Sequence, residues 1–389
     1  VTAAGSGLSV SGAVEDAALE ASLAALSAAG ADGTDLAFVF VSGDAWTQAP
    51  AVLHAVRRVT GARAVVGCSG AGVLTERGEV EGRAAVAVLA VRDERMVATP
   101  FLFKAPEALG EDAGRAVARA TADTLLQEGS LIVLPDPRGL DATALLGAVN
   151  HAIGPVPVVG AVAAGMPVME MANTAAAQAA LAGLALSGLE MSVGVAQGCM
   201  PIGEPYVITA AEDNVVATIG SRPALRILRE AIDTLPGAQE RIQRVGVFAG
   251  LAMDPAKSPL ERGDFLVRNV VGIDTSSGAI ALAEPVRVGQ TIQFQIRDAE
   301  TARADLTATL DALATRLDGR RPRFGCYFNC AGRGRGLFGT PDHDVRLIRA
   351  RFGRFPLVGV FGNGEFGPIG TRNFLHTYTG VLALFVDPA

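Results

Sequence analysis

The chain has 389 residues, half of them apolar, with a net charge of −7 and a mean hydropathy of +0.34 supplied largely by Ala, Val, Gly and Leu. The acid surplus opposes nucleic-acid binding unless a local basic patch overrides it, and the one basic group, Arg321, Arg323, Arg333 and Arg335, lacks the interleaved aromatics that base stacking needs. No uninterrupted apolar run approaches the roughly twenty residues of a membrane-spanning helix, so no membrane insertion is expected.

The length accommodates two domains with substantial cores. The opening Val1-Thr2-Ala3 shows no basic region ahead of a solid apolar block, so no signal peptide is expected. Cys68, Cys199, Cys326 and Cys330 form neither a disulfide framework nor paired zinc spacing. A reducing cytoplasm is the simplest reading.

In chain order, Ser11 to Gly30 reads as a helix with Leu19, Leu23 and Leu26 on one face. A strand follows at Leu36 to Val41, a helix at Ala51 to Val59, a strand at Ala64 to Gly67 and another at Ala84 to Val91. The order returns with a helix at Glu111 to Gln127, a strand at Leu131 to Leu134 and the turn Pro135-Asp136-Pro137. Asp141 is placed to cap a helix over Ala142 to His151. Strands are expected at Pro157 to Gly160 and Ala180 to Leu186. The last unit runs from a helix at Asp305 to Leu317 through a strand at Phe324 to Cys330, a helix at His343 to Phe352 and strands at Leu357 to Phe361 and Tyr378 to Phe385.

Thus Val65-Val66-Gly67, Val158-Val159-Gly160 and Leu357-Val358-Gly359 mark equivalent places in three helix-strand-helix-strand-strand units. A more divergent region lies between the second and third. There Tyr206 to Thr209, Val245 to Phe248, Phe265 to Val271 and Thr291 to Ile296 read as strands, and Arg222 to Ile232 as a helix. A repeat of roughly 80 residues is too long for a solenoid element. Short strands, apolar on both faces and separated by helices, predict an α/β fold of duplicated subdomains around central sheets, forming two sheet-centred halves.

Candidate chemistry gathers near the C-terminus. Gly362-Asn363-Gly364-Glu365-Phe366-Gly367 has the Gly-x-Gly-x-x-Gly spacing, but Pro368-Ile369-Gly370 follows where a dinucleotide site needs a helix. The preferred reading is a glycine-rich turn that displays Asn363 and Glu365 at a strand end. Cys68 and Ser69 stand just after the first Val-Val-Gly, where the second unit has only Ala161 and Val162. Strand alternation puts Phe324, Cys326, Phe328 and Cys330 on one face and Asn329 on the other. Arg333 and Arg335 lie in the glycine-rich loop beyond, offering guanidinium forks to a carboxylate or phosphate, or pairing with surface acids. His376 reads either as a hydrogen-bonded core residue, as a partner to Cys330, or as an axial haem ligand. Metal-ligand spacing is poor throughout, and no Gly-x-Ser-x-Gly elbow occurs.

At these residues the chain resembles the FIST family. The N-terminal pattern is carried by Val65-Val66-Gly67-Cys68-Ser69-Gly70-Ala71-Gly72. The C-terminal pattern is carried by Ile219-Gly220-Ser221-Arg222-Pro223-Ala224, by Phe328-Asn329-Cys330-Ala331-Gly332-Arg333, by Gly359 through Gly364-Glu365, and by Phe374-Leu375-His376 with Thr379. The resemblance implies a FIST N-type domain over 8–195 and a C-type domain over 196–389. It implies a stand-alone bacterial-type sensory module whose output partner is a separate signalling protein. Family members are proposed to bind small ligands such as amino acids, some relatives bind haem and sense nitric oxide, and eukaryotic relatives carry an F-box. The expected site is Asn329, Cys330, Arg333, Arg335, Asn363, Glu365 and His376, with Cys68 and Ser69. In it the asparagines hydrogen-bond a small zwitterion or anion, an arginine meets its anionic group and Glu365 its cationic one. Alternatives are a haem-binding nitric oxide sensor, a cysteine enzyme using Cys330 with His376 as base, and an interaction scaffold. The cofactor is unknown.

Overall fold

A computed structural model describes residues 2–104, 108–126, 128–165, 168–235, 246–254 and 256–388; the expected element ends at Gln127 and Val245 fall outside them. The first repeat contains β1 (Ala3–Ser9), α1 (Val14–Ala29), β2 (Leu36–Ser42), α2 (Ala49–Thr60), β3 (Ala64–Gly70), the hairpin β4 (Gly72–Thr75) and β5 (Gly78–Glu81), and β6 (Ala85–Arg92). The second contains β7 (Val97–Lys104), α3 (Glu111–Leu125), β8 (Ser130–Pro135), α4 (Ala142–Ile153), β9 (Val158–Ala161), the hairpin β10 (Glu170–Ala172) and β11 (Ala175–Ala177), and β12 (Ala180–Ser187). β13 (Glu190–Ala196) opens the third.

The chain then forms β14 (Met200–Pro201), β15 (Tyr206–Glu212), β16 (Val215–Ile219), β17 (Arg222–Pro223), α5 (Ala224–Asp233), β18 (Gly246–Ala252), β19 (Phe265–Asp274), β20 (Ala279–Leu282) and β21 (Thr291–Arg297). The third repeat resumes with α6 (Ala299–Leu317), β22 (Phe324–Cys330), α7 (Gly334–Phe338), α8 (His343–Phe352), β23 (Leu357–Gly362), the hairpin β24 (Glu365–Ile369) and β25 (Arg372–His376), and β26 (Gly380–Val386).

Two compact units result. One comprises Val1–Val195, Thr307–Leu375 and Thr379–Ala389, the other Ala196–Leu306 and His376–Tyr378. The second is antiparallel. β21, β15, β16, β20, β19 and β18 pair in sequence and β18 pairs back onto β21, which closes a barrel and leaves no open edge among those six strands. The apolar face of α5, with Leu225, Ile227 and Leu228, packs on Ile208, Ile219 and Phe294 of this barrel's core.

The first unit holds three sheets, each with a parallel pair at its centre: β2 with β3, β8 with β9, and β22 with β23. These strands are buried along their whole length, as expected of strands covered on both faces. The hairpins are exchanged cyclically. β10–β11 of repeat two extends the first sheet, β24–β25 of repeat three the second, and β4–β5 of repeat one the third. The inner faces of all three sheets share one core containing Phe38, Phe40, Ile132, Leu134, Phe324 and Phe328.

Asp141 caps α4 as expected, its Oδ1 accepting from the Ala144 N–H at 2.9 Å. The leucine stripe expected on α1 is corrected. Leu19 and Leu26 are half-buried, Leu19 against the core, but Leu23 is 58% exposed, and the fully buried face is Val14, Ala17, Ala18, Ala21, Ser22 and Ala25. The reason is Gly5 and Gly7 on β1. A Cβ there would sit 2.2 Å from the Ala25 oxygen and 2.0 Å from the Ala21 oxygen, so helix and strand backbones approach too closely for leucine between them. β1, β7 and β13, which open the repeats, and the short hairpins are additions to the elements expected from periodicity.

Candidate functional site

The repeats can be superposed residue by residue on three glycines. A Cβ at Gly67, Gly160 or Gly359 would lie 1.6, 1.9 or 2.1 Å from the carbonyl oxygen of Val39, Val133 or Tyr327 respectively. Each lets one strand of a parallel pair press against its neighbour's backbone. The following residues, Cys68, Ala161 and Val360, are therefore equivalent, and all three face the common core.

The turns beyond these strands are knitted together by backbone hydrogen bonds. The Ala71 N–H donates to Phe361 O, Ala164 to Ser69 O, Val162 to Gly364 O, Asn363 to Val162 O and Ala331 to Gly362 O. Segments of all three repeats thus close one end of the core. Asn363 belongs to this closure, its exposed side chain donating from Nδ2 to Ala163 O at 3.2 Å. Ser69 is a tether, donating from Oγ to Ala164 O and accepting from the Met169 N–H. The glycine-rich stretch at 362–367 joins β23 directly to β24 with no helix behind it, as the preferred turn reading expects.

Across each hairpin ladder, Cys68 stands opposite Glu170, Ala161 opposite Glu365 and Val360 opposite Val73. Glu170 and Glu365 are thus equivalent, both fully buried, and each arrives on an exchanged hairpin. Glu365 Oε2 accepts from the Thr379 N–H at 3.2 Å. Neither side-chain oxygen of Glu170 meets a hydrogen-bond donor in good geometry among the described residues. Burial and the neighbouring charge of Asp136 push its carboxyl up to about 9.

Asp136 occupies the position equivalent to Cys330, because the N–H groups of the two donate to Ala180 O and Thr379 O, at the starts of the closing strands. Burial by itself would raise the Asp136 carboxyl. The Arg138 fork, together with the Arg138 and Ala179 N–H groups, outweighs burial and holds it below the usual range. Cys330, 8% exposed, accepts from the Gly332 N–H. Cys68 lies wholly in the core, where desolvation and then the Glu170 charge push the thiol well up.

On the other face of β22, Asn329 and Arg333 meet a different partner. Asp344 of α8 accepts from Arg333 Nε at 2.9 Å and Nη2 at 3.3 Å, from Tyr327 OH at 2.8 Å and from Asn329 Nδ2 at 3.4 Å. Arg333 is 0% and Asp344 1% exposed. Burial works to raise the Asp344 carboxyl, but Arg333, His343 and Tyr327 hold it well below the usual carboxylate range. The Arg333 guanidinium also lies over the Phe338 ring, which stacks on His343.

The exchanged hairpin β4–β5 docks here. Glu79 Oε1 accepts from the Val345 N–H, the Glu79 N–H donates to Asp342 Oδ1, and Glu81 Oε1 accepts from the Arg335 N–H. Burial, then the Asp344 charge, push the Glu79 carboxyl up to about 8.

The expected site residues therefore divide. Cys330, Glu365, Asn363, Cys68 and Ser69 belong to the closed end of the three-sheet core. Asn329 and Arg333 belong to the Asp344 network on the opposite face of β22, with Arg335 beside it. His376, 1% exposed, belongs with Thr377 and Tyr378 to the barrel unit. Glu170, Asp136 and Asp344 are additions. The Glu170–Glu365 equivalence is hidden in the sequence because repeat two has a longer connection between its Val-Val-Gly and its hairpin. No group of three or more His, Cys, Asp or Glu side chains among the described residues is placed to hold a metal ion.

The FIST N domain model matches residues 35–222 and the FIST C domain model residues 224–368. An uncharacterized protein of Mycobacterium tuberculosis is 34% identical over 395 residues, covering 98% of this chain and 99% of its own. One of Mycobacterium bovis is 33% identical over 375 residues, covering 95% of each. Among solved structures, a cyanuric acid hydrolase from A. caulinodans aligns over all of both chains with 10% identity and a TM-score of 0.37.

Proposed function

From a chain that belongs to the FIST family of sensory, small-ligand-binding domains, we propose a cytoplasmic sensor module for a small zwitterion, an amino acid being the leading class. The division into an N-type domain over 8–195 and a C-type domain over 196–389 is part of the proposal, as is a separate signalling protein that takes the output.

The observation that carries this reading is Glu170. A buried carboxyl whose side-chain oxygens lack well-placed donors is destabilising by about 1–3 kcal/mol, and such groups in native proteins call for a partner. Together with Asp136, whose charge acts on it, it offers acceptors to the ammonium end of a ligand, and the Arg138 guanidinium, half outside, faces the anionic end. Arg333, expected for that role, instead neutralises Asp344. Because Glu170 rides on an exchanged hairpin, a ligand held by it changes how one repeat is joined to the next. That is a route from occupancy to a signal.

Calorimetry of the full chain against a panel of amino acids and simple amines tests the proposal. Saturable heat with at least one member, reduced about tenfold or more by Glu170→Gln, is expected. Absence of heat from every member overturns it.

A further inference from the structure

A hollow of the first unit is lined by none of Glu170, Glu365, Asp136 and Asp344. It encloses about 470 Å³ and is lined by Pro50, Leu53, His54, Arg57, Arg58 and Thr174, within the range of small-molecule sites, about 300–1,000 Å³. Five of these residues come from α2. Thr174 comes from the turn of the exchanged hairpin β10–β11, which follows the paired Asn173: its N–H donates to Val65 O and its Oδ1 accepts from the Val65 N–H.

The composition of the walls is specific. Pro50 and Leu53 supply an apolar floor, while Arg57 and Arg58 present two guanidinium groups. Arg57 is half-buried and Arg58 exposed; neither forms an ion pair among the described residues, whereas the half-buried or buried Arg222, Arg268, Arg320 and Arg333 are each matched to a carboxylate. Their position in the last turn of α2 suits the helix dipole, but the dipole asks for charge only and does not require an apolar floor between the heads. A guanidinium fork matches the oxygens of a carboxylate or phosphate in two parallel bonds.

We propose that this hollow binds a small organic oxyanion, a carboxylate or phosphate ester carrying an apolar group, with its head on Arg57 and Arg58 and its body on Pro50 and Leu53. Thr174 would then be held against α2, so occupancy staples the second repeat's hairpin to the first repeat's helix. None of the residues lining it belongs to the ligand site proposed above.

The test titrates the full chain with benzoate, phenyl phosphate and inorganic phosphate. Saturable, salt-sensitive binding of benzoate or phenyl phosphate is expected, and whichever binds tighter identifies the head group. Arg57→Gln with Arg58→Gln weakens it by about tenfold or more, whereas Arg58→Lys retains part of it and Gly147→Ala on α4, outside the hollow, leaves it unchanged. Three results overturn the proposal: no saturable binding by either aromatic probe, binding that survives the double substitution in folded protein, or inorganic phosphate binding as tightly as phenyl phosphate.

Discussion

Cys68 and Glu170 stand directly opposite each other in the β3–β10 ladder, though they come from different repeats. Paired residues of an antiparallel ladder point to the same face, so the hairpin of repeat two carries a carboxyl into the core that repeat one contributes to. The same operation takes Glu365 opposite Ala161. Hairpin exchange, more than any local motif, places the buried acids.

Glu170 makes the protein less stable as pH rises. Its carboxyl is pushed up to about 9 in the folded chain, against about 4.3 unfolded. Between those values the folded state keeps a proton that the unfolded state has lost, so stability falls from about pH 4.3 toward 9. Glu170→Gln is expected to be more stable than the parent at pH 8 by about 1–3 kcal/mol, and no more stable near pH 4. Urea unfolding at the two pH values measures it. A shallower slope remains from Glu79, itself pushed up to about 8.

The Arg333–Asp344 pair behaves in the opposite sense. Asp344 is held below its unfolded value of about 3.9, so its stabilising contribution is complete above that value and is lost as pH falls through the folded one. Arg333→Met leaves the Asp344 charge buried without its cation. The expected loss is about 3–5 kcal/mol at pH 7, read by denaturant unfolding, and it shrinks in acid as Asp344 is protonated.

Gly67→Ala is expected to disrupt folding. The added Cβ would meet the Val39 carbonyl at 1.6 Å, and backbone in a parallel pair has nowhere to move. A loss of at least about 3 kcal/mol, or insoluble protein, is the expected outcome. Gly147→Ala on α4, where an added Cβ meets nothing within 4 Å, is the control and retains the parent's melting temperature or exceeds it.

Cys68 and Cys326 are inert in the folded protein. Desolvation raises both thiols, and the thiolate is the reactive form. Iodoacetamide at pH 8 is expected to leave both unmodified in native protein and to modify both in urea, as peptide mass spectrometry would show. Labelling of Cys68 at the unfolded rate would contradict its place in the core.

Periodicity and punctuation in the sequence determined the three repeats, their helices and their buried strands. Val-Val-Gly or Leu-Val-Gly marks each strand that presses on a neighbour, and Asp141 announces its helix through a local hydrogen bond. Such signals act between residues close in the chain, so one sequence carries them. The leucines of α1 misled because the partner, Gly5 and Gly7, is a strand that reads as featureless small residues.

The candidate site was legible in residue type but not in grouping. Alternation correctly separated Asn329 from Cys330, yet only the tertiary structure turned that separation into two clusters, one around Asp344 and one around the closed end of the core. Glu170 and Asp136 gave no local sign, since a carboxylate in a short strand or a Pro-Asp-Pro turn is ordinary until burial and a neighbouring charge act on it. Which hairpin pairs with which sheet is settled by long-range packing of three cores into one, and that choice brings Glu170 to Cys68 and Glu365 to Ala161.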